Sequence, residues 1–205
     1  APWMPFVEGP RFWVGLAPFL TLKATDVYQS EKYTQDIDFM KLIQVAEGRI
    51  EAYRQGNLPL SKVFDVNKMG KLLALTDLVG NYHTLALNNT RYYYNPVTGF
   101  IEPIAYDNNN INPLSKLSFI GAGRRFIDQE NEDSDWEWPL AVFRDKLLFK
   151  KYIESLEEVS DKDFLDRFFL ETEGEAQDKL KLLHRSYPFY EFDKKEIFYK
   201  NQEYI

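Results

Sequence analysis

The chain contains no cysteine among its 205 residues. This absence excludes a disulfide framework, a thiolate nucleophile and the usual cysteine-based zinc sites. Long apolar runs are also missing, since a membrane-spanning helix needs roughly 20 apolar residues. The best candidate, residues 12–20, is interrupted by Gly15 and Pro18. The sequence therefore predicts no membrane span.

Positive charge is scarce. The 25 Lys and Arg residues are outnumbered by 32 Asp and Glu residues, which gives a net charge of -7, and no block of basic residues occurs. Binding to nucleic acid or to anionic lipid depends on clustered positive charge. Both classes of partner are therefore excluded.

The remaining composition is that of a globular protein, with 44% apolar and 28% charged residues. A length of 205 residues fits one domain, because a single core typically serves about 100–200 residues. Aromatic residues reach 16%, enough to build a core around rings and leave some on a surface. Because the chain begins Ala1-Pro2-Trp3 with no Met and no signal-like segment, we expect a piece of a longer protein.

Apolar spacing predicts helices in the first half of the chain. Residues 1–36 contain four prolines and form an irregular lead-in, in which Phe19 to Leu22 is the only plausible strand. Apolar residues at helical spacing predict a helix over 37–53. A second helix is predicted from the capping residue Asp65 to Val79, with Gly80 as its stop.

A β-hairpin is predicted next. The aromatic run Arg91 to Tyr94 and the run from Phe100 to Tyr106 flank a turn of Asn-Pro and Gly residues. Asp107 follows directly at the hairpin exit, and residues 112–135 have the composition of a long loop. Helices return over 142–156 and from Phe164, where Ser160 and Asp163 resemble a capping box. Residues 190–205 are predicted to form a terminal strand or a link to a following domain, not a helix.

Three polar residues near the hairpin have the chemistry of a phosphate-handling site. His83 and Asn88 lie in the loop after the second helix, and Asp107 ends the hairpin. Carboxylate and amide oxygens suit Mg²⁺ or Ca²⁺, and an imidazole with a pKa of about 6.5 accepts a proton near neutral pH. A turn built from Asp107 and the three Asn residues after it fits this composition equally well.

This segment resembles the CotH kinase-like family of atypical kinases, named after a spore coat protein. The resemblance lies in the string from Asp77 to His83 (DLVGNYH), in the hairpin, and in the string from Glu102 to Asp107 (EPIAYD). As in protein kinases, a five-residue step leads from the catalytic-loop position, here His83, to an Asn, here Asn88, and an Asp follows one hairpin later.

The resemblance implies an α+β, mainly helical fold: a protein-kinase-like C-lobe over residues 37–189 with a β-hairpin between its helices. It implies Mg²⁺ and ATP, with His83 as catalytic base, Asp107 and Asn88 as metal ligands, and Asn88 and Arg91 as nucleotide contacts. Transfer of the γ-phosphoryl group to a protein hydroxyl follows from this, at a secreted or cell-surface location. With only 36 residues before the first helix, we expect an incomplete N-lobe and weak nucleotide binding by the isolated chain.

Two departures from the family keep an alternative open. His83 stands where the family often has Asp, and Asn108 or Asn109 stands where it often has a second acid. A non-catalytic, pseudokinase-like module for interaction or surface assembly is consistent with both. A third interpretation is a carbohydrate-binding domain, which requires exposed rings at Tyr92 and Tyr94.

Overall fold

The computed structural model describes residues 3–5, 27, 31, 35–85, 91–108, 110–114 and 145–205. Within these ranges the protein is mainly helical with one small antiparallel sheet, which confirms the α+β class. The elements are β1 (Trp3–Pro5), α1 (Ile37–Arg54), α2 (Val66–Val79), β2 (Arg91–Tyr94), β3 (Ile101–Ile104), α3 (Lys146–Ser160), α4 (Phe164–Leu183) and α5 (Lys195–Tyr204), with short 3₁₀ turns at Leu60–Lys62 and Tyr82–Leu85.

The first two helices begin and end where the sequence predicts. The side chain of Asp36 accepts hydrogen bonds from the first backbone N–H groups of α1, and Asp65 does the same for α2. These acceptors satisfy N–H groups that have no partner within a helix. At the other end of α2, Gly80 adopts a φ of 66°, a left-handed conformation that costs glycine little.

Helix α2 is the centre of the core. Most of its residues are buried, and it packs closely against α3, with α1 and the hairpin nearby. The closest approach is at Gly70, where an added Cβ atom would lie 2.7 Å from the backbone C and O atoms of Lys151. The absence of a side chain at Gly70 therefore sets the distance between these two helices.

A buried polar pair links α2 to α3. Asp77 is fully buried, and its carboxylate accepts a hydrogen bond from the hydroxyl of Tyr152, which is also buried. Burial, and then the neighbouring Asp77 carboxylate, raise the pKa of the Tyr152 hydroxyl far above its usual range. The hydroxyl therefore stays protonated and remains a donor to Asp77, as a buried carboxylate requires.

The sheet has the strand order β1-β2-β3, and both pairs are antiparallel. The predicted hairpin is confirmed: Tyr93 pairs with Glu102, and the Asn95 side chain accepts hydrogen bonds from the turn N–H groups of Val97 and Thr98. Alternation along β2 buries Tyr92 and Tyr94, which are 1% and 6% exposed. Neither ring is available to stack on a sugar, so the interpretation as a carbohydrate-binding surface is wrong.

Strand β3 and the residues after it run alongside α2 from one end to the other. At the start of β3, Ile101 exchanges backbone hydrogen bonds with Val63 and Asp65, just before α2. The 14 residues of α2 rise about 21 Å, and extended chain from Ile101 to Asp107 covers about 20 Å. These matched lengths bring Asp107 to the C-terminal end of α2.

An ion pair fastens β3 to α2 and makes stability depend on pH. Lys68 Nζ lies 2.5 Å from Glu102 Oε2, and Asn95 donates to Oε1 of the same carboxylate at 2.8 Å. The hydrogen bond from Lys68, helped by the one from Asn95, lowers the pKa of Glu102. A lowered carboxylate pKa stabilises the fold above the ordinary pKa, and this stabilisation disappears as the pH falls through the folded-state value.

We therefore expect Glu102→Gln to reduce the free energy of unfolding by about 1 kcal/mol at pH 7, since solvent screens the half-exposed Lys68. The difference from wild type should shrink as the pH falls below the ordinary carboxyl pKa of about 4.3 and then through the lower pKa of Glu102 in the folded protein. Urea unfolding at pH 7 and pH 3 measures both values. The control Glu196→Gln removes a fully exposed pair with Lys200 and should change little. An equal effect of Glu102→Gln at both pH values would refute the role of this ion pair.

Several predictions about the rest of the chain are wrong. Residues 190–205 contain α5 where a strand and no helix were predicted, while a following domain stays a prediction; the lead-in contains β1. Ser160 does not cap α4: its hydroxyl donates to Glu157, and the Asp161 side chain accepts from the N–H of Asp163. The proposed strand at 19–22 and most of the loop over 112–135 lie outside the described residues. In the described part of the chain, no helix is long and apolar enough to cross a membrane.

Candidate functional site

The hairpin exit lies against the C-terminal end of α2. We call residues 105–108 and 110–114 the exit segment. The side chain of Asn81 donates to the backbone O of Asp107 at 3.2 Å, and Thr84 Oγ1 accepts from the N–H of Tyr106 at 3.3 Å. Both Asn81 and Thr84 are buried. The backbone turn that carries His83 is thus tied on both sides to the backbone that carries Asp107.

A second set of hydrogen bonds holds the exit segment farther along. The backbone N–H of Asn112 donates to the O of Val79 at 3.0 Å, and the Asn112 side chain donates to the O of Gly80 at 3.0 Å. Gly80 itself is in close contact, because an added Cβ would lie 2.2 Å from the O of Asn112. The end of α2, where carbonyl groups lack helical partners, is therefore covered by the exit segment.

Asp107 has an unusual backbone conformation. Its φ is 53°, and among the described non-glycine residues it is the only one with a positive φ. Asp and Asn tolerate the left-handed region better than other residues, but it remains an uncommon conformation that often marks functional sites. The carbonyl bond to Asn81 holds the residue in place, and its side chain is half-buried.

The structure brings together some of the predicted site residues. His83 lies in the 3₁₀ turn Tyr82–Leu85 beside the exit segment, while the position of its side chain is outside what the structure describes. Arg91 begins β2, and its guanidinium lies 4.6 Å from the centre of the Tyr106 ring, next to Asp107. Asn88 lies outside the described residues.

Few described side chains near Asp107 could act as metal ligands. Across the residues that the structure describes, no three acidic or histidine side chains are grouped in a way that would hold a metal ion. Beside Asp107, however, Asn108 Oδ1 is buried and makes no hydrogen bond to any described residue. An amide oxygen of this kind is one of the ligand types that Mg²⁺ accepts when water completes its shell. Asn108 Oδ1 is therefore a candidate ligand that follows Asp107 in the sequence.

Sequence reasoning missed the residues that hold the site together. These are the amide and hydroxyl side chains of Asn81, Thr84, Asn112 and Asn201, whose partners are mostly backbone carbonyls and N–H groups far away in the chain. A polar residue in a loop normally predicts an exposed position. Only the length match between α2 and the extended chain from Ile101 to Asp107 offered a signal for this contact.

Comparison with known proteins found no match for this chain. No family model matches the chain, and no curated protein or solved structure shows significant similarity to it. Kinship with CotH-type kinases therefore stays a prediction from the sequence. The contact between the end of α2 and the exit segment is the observation from which a function has to be argued.

Proposed function

We propose that this chain is a kinase-like domain of the CotH type, mainly helical and similar to a kinase C-lobe, which binds Mg-ATP beside the exit segment. One observation carries the proposal: Asn81 donates to the backbone O of Asp107, and Thr84 accepts from the N–H of Tyr106, so the turn that contains His83 is held against the exit segment. A catalytic-loop residue and a metal-binding Asp must be neighbours in such a site. The two positions are 24 apart in the sequence, and the contacts of Asn81 with Asp107 and of Thr84 with Tyr106 support their proximity.

Each residue has a role in this proposal. Asp107 and the orphaned Oδ1 of Asn108 would hold Mg²⁺, and the ion would neutralise charge on the phosphate oxygens. Asn88 completes the metal and nucleotide contacts, and Arg91 supplies positive charge near the phosphates. His83 would take the proton of the acceptor hydroxyl. The oxygen of that hydroxyl would bond to the γ-phosphorus of ATP while the bond from that phosphorus to the ADP oxygen breaks. The acceptor is a protein hydroxyl, at a secreted or cell-surface location.

The second candidate is a pseudokinase-like module that serves interaction or surface assembly without catalysis. Its support is the presence of His83 at the base position together with the small donor set around Asp107. Fewer charged ligands weaken metal binding. Both candidates use the same fold and differ in whether phosphoryl transfer occurs.

A thermal-shift titration tests nucleotide binding. It should use the longest natural chain that contains these 205 residues, with Mg-ATP up to millimolar concentration. Ligand at about 100 times its dissociation constant adds about 2.7 kcal/mol of stability, so we expect a rise in melting temperature of several degrees. Asp107→Asn should abolish the rise, because Asn keeps the size and the tolerance for positive φ but loses the charge.

Asp163→Asn is the matched control, since Asp163 is exposed at the start of α4 and its side chain makes no capping bond. This variant should respond to Mg-ATP like wild type. No shift in the wild type at millimolar Mg-ATP would rule out the nucleotide site. If nucleotide binds, radiolabel transfer compared between wild type and His83→Ala separates the candidates: loss of transfer in the variant supports the kinase, and no transfer in either protein supports the pseudokinase.

A further inference from the structure

We propose that helix α5 acts as a clamp on the candidate site and that Asn201 is its positioning residue. This proposal rests on the proposed function only for its effect on nucleotide binding. Its structural basis is independent, because it concerns how the exit segment is held against α2. Sequence analysis predicted no helix in this region and assigned it no role.

Both polar atoms of the Asn201 side chain form hydrogen bonds with the exit segment. Its Nδ2 donates to the O of Leu78 at 2.8 Å and to the O of Asn112 at 2.9 Å, and its Oδ1 accepts from the N–H of Leu114 at 2.8 Å. The side chain is 1% exposed. One buried amide therefore joins the last turn of α2 to two residues of the exit segment. Both its N–H groups and its oxygen form hydrogen bonds.

The neighbouring residue offers an internal comparison. Gln202 is also buried, and its Nε2 donates to the O of Val159 and the O of Asp161, both at 2.8 Å. These carbonyls lie where α3 passes into α4, away from the exit segment. Asn201 and Gln202 thus dock the same helix with the same chemistry, but only Asn201 contacts the candidate site.

The consequence for the site follows from the order of contacts along the exit segment. Tyr106 is held by Thr84, Asp107 by Asn81, and Asn112 by Val79 and Gly80. Asn201 holds the far end of this series. Without it, the carbonyl of Asn112 and the N–H of Leu114 lose a partner each, and the exit segment loses one of the restraints that keep it against Gly80.

Amide hydrogen exchange tests the clamp directly. In Asn201→Ala the N–H groups of Leu114 and Asn112 should exchange at least about tenfold faster, because one lost hydrogen bond is worth about that factor in opening. Gln202→Ala should leave these two amides unchanged, although it also loosens α5. Equal acceleration in both variants would overturn the proposal, since α5 would then act only as general support. If Asn201→Ala does not fold, Asn201→Asp keeps the size, removes the donor and carries the same expectation for Asn112.

Nucleotide titration gives the second readout. If wild type responds to Mg-ATP, Asn201→Ala should raise the dissociation constant at least about tenfold, while Gln202→Ala, with a similar loss of melting temperature, should bind like wild type. Equal affinity in all three proteins would contradict a positioning role. If wild type shows no response, the proposed function fails, and the exchange data alone still decide whether Asn201 clamps the exit segment.

Discussion

Replacing Gly70 with alanine should destabilise the protein by about 2 kcal/mol or more, through a single added methyl group. The new Cβ would lie 2.7 Å from the C and O atoms of Lys151 and 2.9 Å from the N of Tyr152. All three are backbone atoms, so no side chain can rotate away and α2 and α3 must separate. Separation also strains the buried bond between Tyr152 and Asp77, which spans the same two helices.

Gly48→Ala is the control for Gly70→Ala, and it should stabilise the protein where Gly70→Ala destabilises it. Gly48 lies in the interior of α1 with no atom within 4 Å of an added Cβ. Alanine favours the helix over glycine by about 0.8–1 kcal/mol, so this variant should be more stable than wild type. Urea unfolding of the two variants beside wild type measures both differences. If Gly70→Ala were stabilised like Gly48→Ala, the close contact between α2 and α3 would be wrong.

The parts of the fold that the sequence predicted are those with local causes. Helix α2 is bounded by Asp65 and Gly80, and the hairpin turn is specified by Asn95 and Gly99; each of these acts on backbone within a few residues. Strand β1 was missed because its formation depends on pairing with β2, about 90 residues away in the sequence. Chain separation of this size leaves no periodic signal.

Helix α5 was missed for a different reason. Ile197, Phe198 and Tyr199 are consecutive, and Tyr204 is the one other apolar residue of this ten-residue helix, so the helical spacing is barely repeated. The residues that dock it, Asn201 and Gln202, are polar, and pattern analysis places such residues at the surface. Their burial is compensated by hydrogen bonds to carbonyls of α2, α3 and the exit segment, which only the tertiary structure supplies.

The roles of the predicted site residues stay predictions, and only the placement of their backbone can be compared with the structure. The positions of His83 and Asp107 were chosen from residue type and resemblance, and their backbones are neighbours through Asn81 and Thr84. The sequence offers no means of identifying these two as the connecting residues, because the contact depends on the path of β3 and the residues after it along α2. Asn88 lies outside the described residues, so its part in the site is still a prediction.

Gly80→Ala should have the largest effect on the candidate site. At a φ of 66°, alanine pays roughly 1–2 kcal/mol for the left-handed conformation. Its Cβ would also lie 2.2 Å from the O of Asn112, so the exit segment must move away from α2. That movement breaks the bonds of Asn112 to Val79 and Gly80. We expect a total loss of about 3 kcal/mol or more in unfolding free energy.

Gly56→Ala separates the cost of the left-handed conformation from the cost of the contact with Asn112. Gly56 has a φ of 73° and follows the end of α1, but nothing lies within 4 Å of an added Cβ. This variant should show the conformational cost alone, roughly 1–2 kcal/mol, with unchanged amide exchange at Asn112. The difference between the two variants therefore measures the contact between α2 and the exit segment. Equal destabilisation, with slow exchange at Asn112 in both, would contradict the close contact between Gly80 and Asn112.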